Sequence, residues 1–156
     1  MRFPVIAMRT FVFEVELFLP RPREEVFSFF SDAHNLQQIT PPWVKFAVLT
    51  PKPILMKAGA LIDYRLRIHG LPMRWRTKIT VWNPPFQFVD EQLHGPYRLW
   101  RHHHTFEEKD GRTLCKDHVE YAVLGGAIIN RLFVRRDVEN IFAFRQKMLR
   151  EIFRSK

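Results

Sequence analysis

The chain has 156 residues, with 25 Lys and Arg against 16 Asp and Glu, for a formal net charge of +9. Apolar residues make up 46%, and Phe alone contributes 15, which suits a packed core and argues against a disordered chain. The single cysteine, Cys115, excludes a disulfide framework and a multi-cysteine zinc site, and it fits a reducing, cytoplasmic setting. The weakly polar stretch near the end, Ala122 to Ile129, is far shorter than the roughly 20 residues of a membrane span. Met1 to Met8 is apolar but is cut short by Arg9 and lacks a small-residue cleavage site, so no signal peptide is expected.

Phe11 to Leu19 alternates Phe11, Phe13, Val15 and Leu17 with Val12, Glu14, Glu16 and Phe18, the pattern of a half-buried strand. Pro20 and Pro22 stop it, because proline has no ladder donor. Pro22 followed by Glu24 and Glu25 suits a helix start, and Val26, Phe29 and Phe30 share a face at helical spacing. Ser31-Asp32 offers the next cap, and Ala33 to Ile39 reads as a second short helix ended by Thr40-Pro41-Pro42.

From there the period is two. Val44 to Thr50 is a strand candidate broken by Pro51-Lys52-Pro53. In Ala60 to Ile68, the set Ile62, Tyr64, Leu66 and Ile68 opposes Asp63, Arg65 and Arg67. In Met73 to Trp82, the set Met73, Trp75, Thr77, Ile79 and Val81 opposes Arg74, Arg76, Lys78 and Thr80. Phe86 to Leu93, Arg98 to Glu107 and Thr113 to Val123 are three more strands. The connections, such as His69 to Pro72 and Asp110-Gly111, are short and imply antiparallel neighbours.

After Gly125-Gly126, Ala127 to Phe153 reads as one long amphipathic helix without internal glycine or proline. At 1.5 Å per residue it spans roughly 40 Å, enough to cross a whole sheet. With no repeat or linker, residues 1–156 read as one domain with a core over about 10–154. The expected class is α+β: a curved antiparallel sheet of about seven strands wrapped around the last helix, with two short helices plugging one end. A curved sheet around one helix leaves a gap, and that gap is a ready ligand cavity.

Several segments combine specifically: Leu19-Pro-Arg-Pro-Arg-Glu-Glu-Val-Phe-Ser-Phe-Phe30, Ile39-Thr-Pro-Pro-Trp43, Ile62-Asp-Tyr-Arg-Leu66, His69-Gly-Leu-Pro-Met-Arg-Trp75, Phe88-Val-Asp-Glu-Gln92, Gly95-Pro-Tyr97 and Trp100-Arg-His-His-His-Thr-Phe106. Together with the element order, they resemble the helix-grip fold of the START and Bet v 1-like superfamily, also called SRPBCC, over nearly the whole chain. The resemblance is to a bacterial ligand-binding subgroup, some of whose members are described as cyclase/dehydrase-like. It implies a cavity between sheet and helix. It leaves function open among lipid carriers, hormone receptors and polyketide aromatases or cyclases.

His102, His103 and His104 look at first like metal ligands. On a strand, however, His102 and His104 share one face and His103 the other, and zinc wants at least a third ligand. No metal and no cofactor is expected. With Phe106 in the core, Trp100, His102 and His104 face inward. On the next strand the more apolar set, Cys115, Asp117, Val119, Tyr121 and Val123, is also assigned inward. A buried carboxylate needs a partner, and His102 or His104 supplies one for Asp117. Such a pair is a structural element or a general base. The expected polar lining is therefore His102, His104, Asp117 and Tyr121, which are also the candidate catalytic groups. The apolar lining is Tyr64, Leu66, Met73, Trp75, Phe88, Trp100 and Met148. Trp43 sits at the cavity mouth or anchors the core.

Arg65, Arg67, Arg74, Arg76 and Lys78 fall on the convex face, and Arg131, Arg135, Arg136, Arg145, Lys147, Arg150, Arg154 and Lys156 lie along the helix and its end. This basic surface suggests transient contact with an anionic membrane. Aromatics at core positions make nucleic acid an unexpected partner. The leading expectation is a carrier or sensor of a hydrophobic or amphipathic molecule such as a lipid, quinone or polyketide. The alternative is a cyclase/aromatase-like enzyme using the cavity His, Asp and Tyr as acid and base.

Overall fold

The computed structural model describes residues 8–154. The signal-peptide reading of Met1 to Met8 (Met8 aside) and the charge at Lys156 lie outside them. Strand β1 (Phe11–Leu19) buries Phe13, Leu17 and Leu19 and turns its glutamates outward, as period two dictates. Pro22 opens helix α1 (Arg23–Phe30), which buries Val26, Phe27 and Phe30; Phe29 only packs against the edge of the core. The next segment, Ala33–Ile39, is a 3-10 helix capped by Asp32, whose carboxylate accepts from the His34 amide at 2.9 Å.

A second 3-10 turn, Pro42–Val44, ends in a left-handed Lys45. That turn uses up the front of the expected strand, so β2 is only Ala47–Val48. Then come β3 (Leu61–Ile68), β4 (Leu71–Asn83), β5 (Gln87–His94), β6 (Leu99–Lys109) and β7 (Arg112–Ala122). The sheet order is β1-β7-β6-β5-β4-β3-β2, and every pairing is antiparallel. Positive φ at both His69 and Gly70, and at both Asp110 and Gly111, gives the two tight hairpins their primed turns. Pro72 lies within β4 but ahead of Arg76, where pairing with β5 begins, so its missing N–H breaks no ladder bond on that side.

The expected facing of β4 fails at its end. A register shift between Ile79 and Val81 turns Val81 outward, to 36% exposure, and carries Trp82 in against Phe27 and Phe88.

The C-terminal helix comprises α2 (Gly126–Ile129), a π-helical turn (Asn130–Val134) and α3 (Arg135–Arg154). It is therefore continuous but not uniform, and its π turn sets Asn130 against Tyr121 of β7. Helix α3 buries Val138, Phe142, Leu149 and Phe153. Its far half packs solidly with α1, Leu17 and Cys115. Its near half meets Phe13, Val119 and Tyr121. Between these two contacts the sheet bows away. No helix among the described residues is long and apolar enough to cross a membrane.

Candidate functional site

A cavity of about 180 Å³ occupies the gap between sheet and α3. That is about ten times what one water needs, so the space admits an organic molecule. Its walls are mostly apolar: Leu66, Ile79, Phe88 and Trp100 from the sheet, Phe30 and Leu36 from the helical plug, Ile141 and Phe142 from α3. Trp75 stands on the wall with its indole N–H donating to Thr77 Oγ1 at 3.0 Å and its ring edge-on to Trp100.

The polar part of the wall follows from register. Residues directly opposite in antiparallel strands share a face. Asp90 on β5 lies opposite His102 on β6, and His104 lies opposite Asp117 on β7. Three strands thus bring two carboxylates and two imidazoles together. His102 Nε2 donates to Asp117 Oδ1 at 2.7 Å, and His104 Nε2 donates to Asp90 Oδ2 at 2.7 Å. His104 Nδ1 lies 3.2 Å from the same Asp117 oxygen, off the line of a hydrogen bond. The two rings sit 3.6 Å apart, and His104 stacks on Phe88 at 4.0 Å.

The environment divides the two histidines. Burial, with His104 adding to it, pushes His102 down to about 4 against the pull of Asp117 and Asp90. Burial opposes a charge on His104 too, but the two carboxylates outweigh it and hold this ring above the ordinary histidine value. Asp117 and Asp90 are likewise opposed by burial, yet their hydrogen bonds from the histidines keep both below the usual carboxylate range. The cluster therefore sets two carboxylates around one ring that burial keeps neutral, His102, and one ring on which the proton is favoured, His104. The ring that holds a proton more readily and the ring that holds it less readily thus lie side by side at the cavity wall. Asp90, His102 and His104 also bring one donor atom each within 4.8 Å of one another, a spacing that one metal ion spans.

Of the residues expected from sequence, Tyr64, Leu66, Trp75, Phe88, Trp100, His102 and His104 line the cavity. Four do not. Asp117 faces inward but is covered by the two histidine rings it holds. Tyr121 is fully buried beside Tyr97 and Trp100, and its hydroxyl donates to Asn130 Oδ1 at 2.8 Å in the π turn. Met73 packs into the cluster of Ile62, Tyr64, Leu66 and Ile79. Met148 lies one turn past the cavity, in the solid core with Leu149 and Phe153. Trp43 is 59% exposed and edge-on to Phe144, so it does not anchor the core. Sequence reasoning also missed Asp90, Tyr97 and Arg145, all on the wall. Alternation on β5 carried the signal for Asp90, which shares a face with Phe88.

The family model described as "Polyketide cyclase / dehydrase and lipid transport" matches residues 19–145, most of the chain. The chain belongs to this family, within the SRPBCC superfamily. No protein of curated function matches the sequence. Among solved structures, this SRPBCC chain is similar to Ara h 8.0201, at 15% identity and a TM-score of 0.72 over 95% of this chain and 100% of the other. It is similar to the Zhui aromatase/cyclase from Streptomyces sp. R1128, at 15% identity and a TM-score of 0.71 over 94% of each. It is also similar to a nucleoside-diphosphate sugar epimerase from Corynebacterium glutamicum, at 27% identity and a TM-score of 0.66. That match covers 89% of this chain but only 28% of the epimerase. The two matches at 15% identity show the helix-grip fold alone.

Proposed function

We propose that this SRPBCC domain binds a hydrophobic or amphipathic small molecule, such as a lipid, quinone or polyketide, as a carrier or sensor. One observation carries the reading: an apolar cavity interrupted on one wall by the Asp90–His102–His104 group, with Asp117 behind it. Apolar burial supplies affinity at about 25 cal/mol per Å², and the polar wall orients the ligand's polar end. The test is native mass spectrometry of the protein purified from its own host, followed by extraction of what it holds. A stoichiometric apolar molecule supports a carrier or sensor. Empty protein that also takes up no apolar probe in solution refutes it.

A second reading, a cyclase/aromatase-like enzyme, is favoured by two unlike imidazoles side by side on that wall, with His104, which holds its proton more readily, as donor and His102 as acceptor. It requires that His102→Ala and His104→Ala abolish turnover of a poly-β-keto thioester while leaving its binding nearly intact. Basic composition and a single cysteine suit a cytoplasmic setting. We further place an anionic-membrane contact at the start of the C-terminal helix. There Leu124, Ile128, Leu132 and Phe133 are exposed beside Arg131, Arg135 and Arg136.

A further inference from the structure

Arg145 on α3 is the one Lys or Arg on the cavity lining among the described residues. Its Nε and Nη1 atoms are buried and have no hydrogen-bond partner. Its guanidinium lies 5.1 Å from the centre of the Phe142 ring, which fixes it against the wall. Several other polar groups around the cavity are engaged. Asp90 gives Oδ2 to His104, the Trp75 indole N–H goes to Thr77, and the Thr40 hydroxyl donates to the Leu36 carbonyl at 2.6 Å. Asp90 is close enough for the Arg145 charge to act on its carboxyl, but no hydrogen bond joins them. Buried donors without acceptors are costly, and a guanidinium bonds an anionic oxygen about twice as strongly as a neutral one. Nε and Nη1 of Arg145 are thus left without an acceptor.

We propose that the cavity selects an amphipathic ligand with an anionic head, a carboxylate or sulfonate, whose oxygens take the buried donors of Arg145 while its tail lies against Leu66, Ile141 and Phe30. This rests on the cavity being a ligand site. The experiment separates the two ideas with a pair of fluorescent probes of nearly the same ring skeleton: 1-anilinonaphthalene-8-sulfonate, which carries a sulfonate, and N-phenyl-1-naphthylamine, which does not. Arg145→Met is expected to weaken the sulfonate probe about tenfold or more and to leave the neutral probe within about twofold. Arg74→Met, on the outer face, changes neither. Unchanged sulfonate binding in Arg145→Met overturns the anionic head but leaves the cavity reading standing. Failure of the wild type to bind either probe overturns both. A second measurement needs no variant. Laurate displaces the neutral probe from the wild type at concentrations about tenfold below those required of dodecanol. Equal or better displacement by the alcohol sinks the proposal.

Discussion

Replacing His102 by Gln isolates the energetic cost of keeping an imidazole neutral. In the unfolded chain this ring takes a proton near its ordinary value of 6.5, whereas in the folded protein burial delays protonation to about 4. Between those values the unfolded state binds the extra proton, so stability falls as pH falls through that window. Across that whole window the loss amounts to about 3 kcal/mol. His104 acts in the opposite sense. Its raised value gives stability that is fully present below pH 6.5 and is lost as pH rises through the folded value. Asp90 and Asp117 are held low, so their contribution is present above the ordinary carboxylate range and is lost as pH falls below it. The wild type should therefore be most stable at about pH 6–7. Gln at 102 keeps an amide donor for Asp117 but does not titrate. Urea unfolding at pH 7 and pH 4.5 should show the wild type losing about 2–3 kcal/mol more than His102→Gln. Comparing the two proteins cancels the repulsion that a +9 chain gains in acid. An acid loss of the same size in both would refute the assignment of His102 as the buried neutral ring.

Trp75→Ala should weaken uptake of the neutral naphthylamine probe at least tenfold, read by fluorescence titration. Thermal unfolding should report about 3 kcal/mol or less of lost stability, because the site already borders a cavity. Tyr121→Phe removes the donor to Asn130 Oδ1 and should cost about 1–3 kcal/mol in urea while leaving probe affinity unchanged; altered affinity would place Tyr121 in the site after all. In a flotation assay at low salt, the wild type should rise with anionic vesicles and Ile128→Glu/Leu132→Glu should stay below. Equal flotation of both would exclude this end of the helix as the contact.

The fold was legible because its signals are local. Alternation on β1 and β3, the His69-Gly70 and Asp110-Gly111 turns, and an uninterrupted amphipathic run after Gly126 each read out from a few neighbouring residues. Much of the apolar lining followed, since facing on β3 and early β4 is strict period two. Depth was less legible. Asp117 and Tyr121 do face inward, but whether an inward residue touches the cavity depends on what lies in front of it. His102 and His104 cover Asp117, and the start of the C-terminal helix covers Tyr121. Asp90 was missed because its partner His104 is 14 residues away, and the pairing is set by register between β5 and β6. Arg145 was read as part of the basic surface, although the helical period of Val138, Phe142 and Leu149 puts it on their buried face. Val81 failed for a local reason, a bulge that carries no obvious mark in its own residues.

Cys115 offers a clock for how often this architecture opens. It is the chain's one cysteine and it lies under Phe27 and Leu149, where burial pushes its thiol up to about 12. A thiol so placed reacts only when α1 or α3 lifts from the sheet. Its labelling rate by an excess of maleimide therefore counts excursions of the helices without any engineered probe. A ligand lodged between sheet and α3 should slow that rate in proportion to its occupancy. The same thiol then reports breathing, and its suppression by a bound guest, in a single kinetic trace.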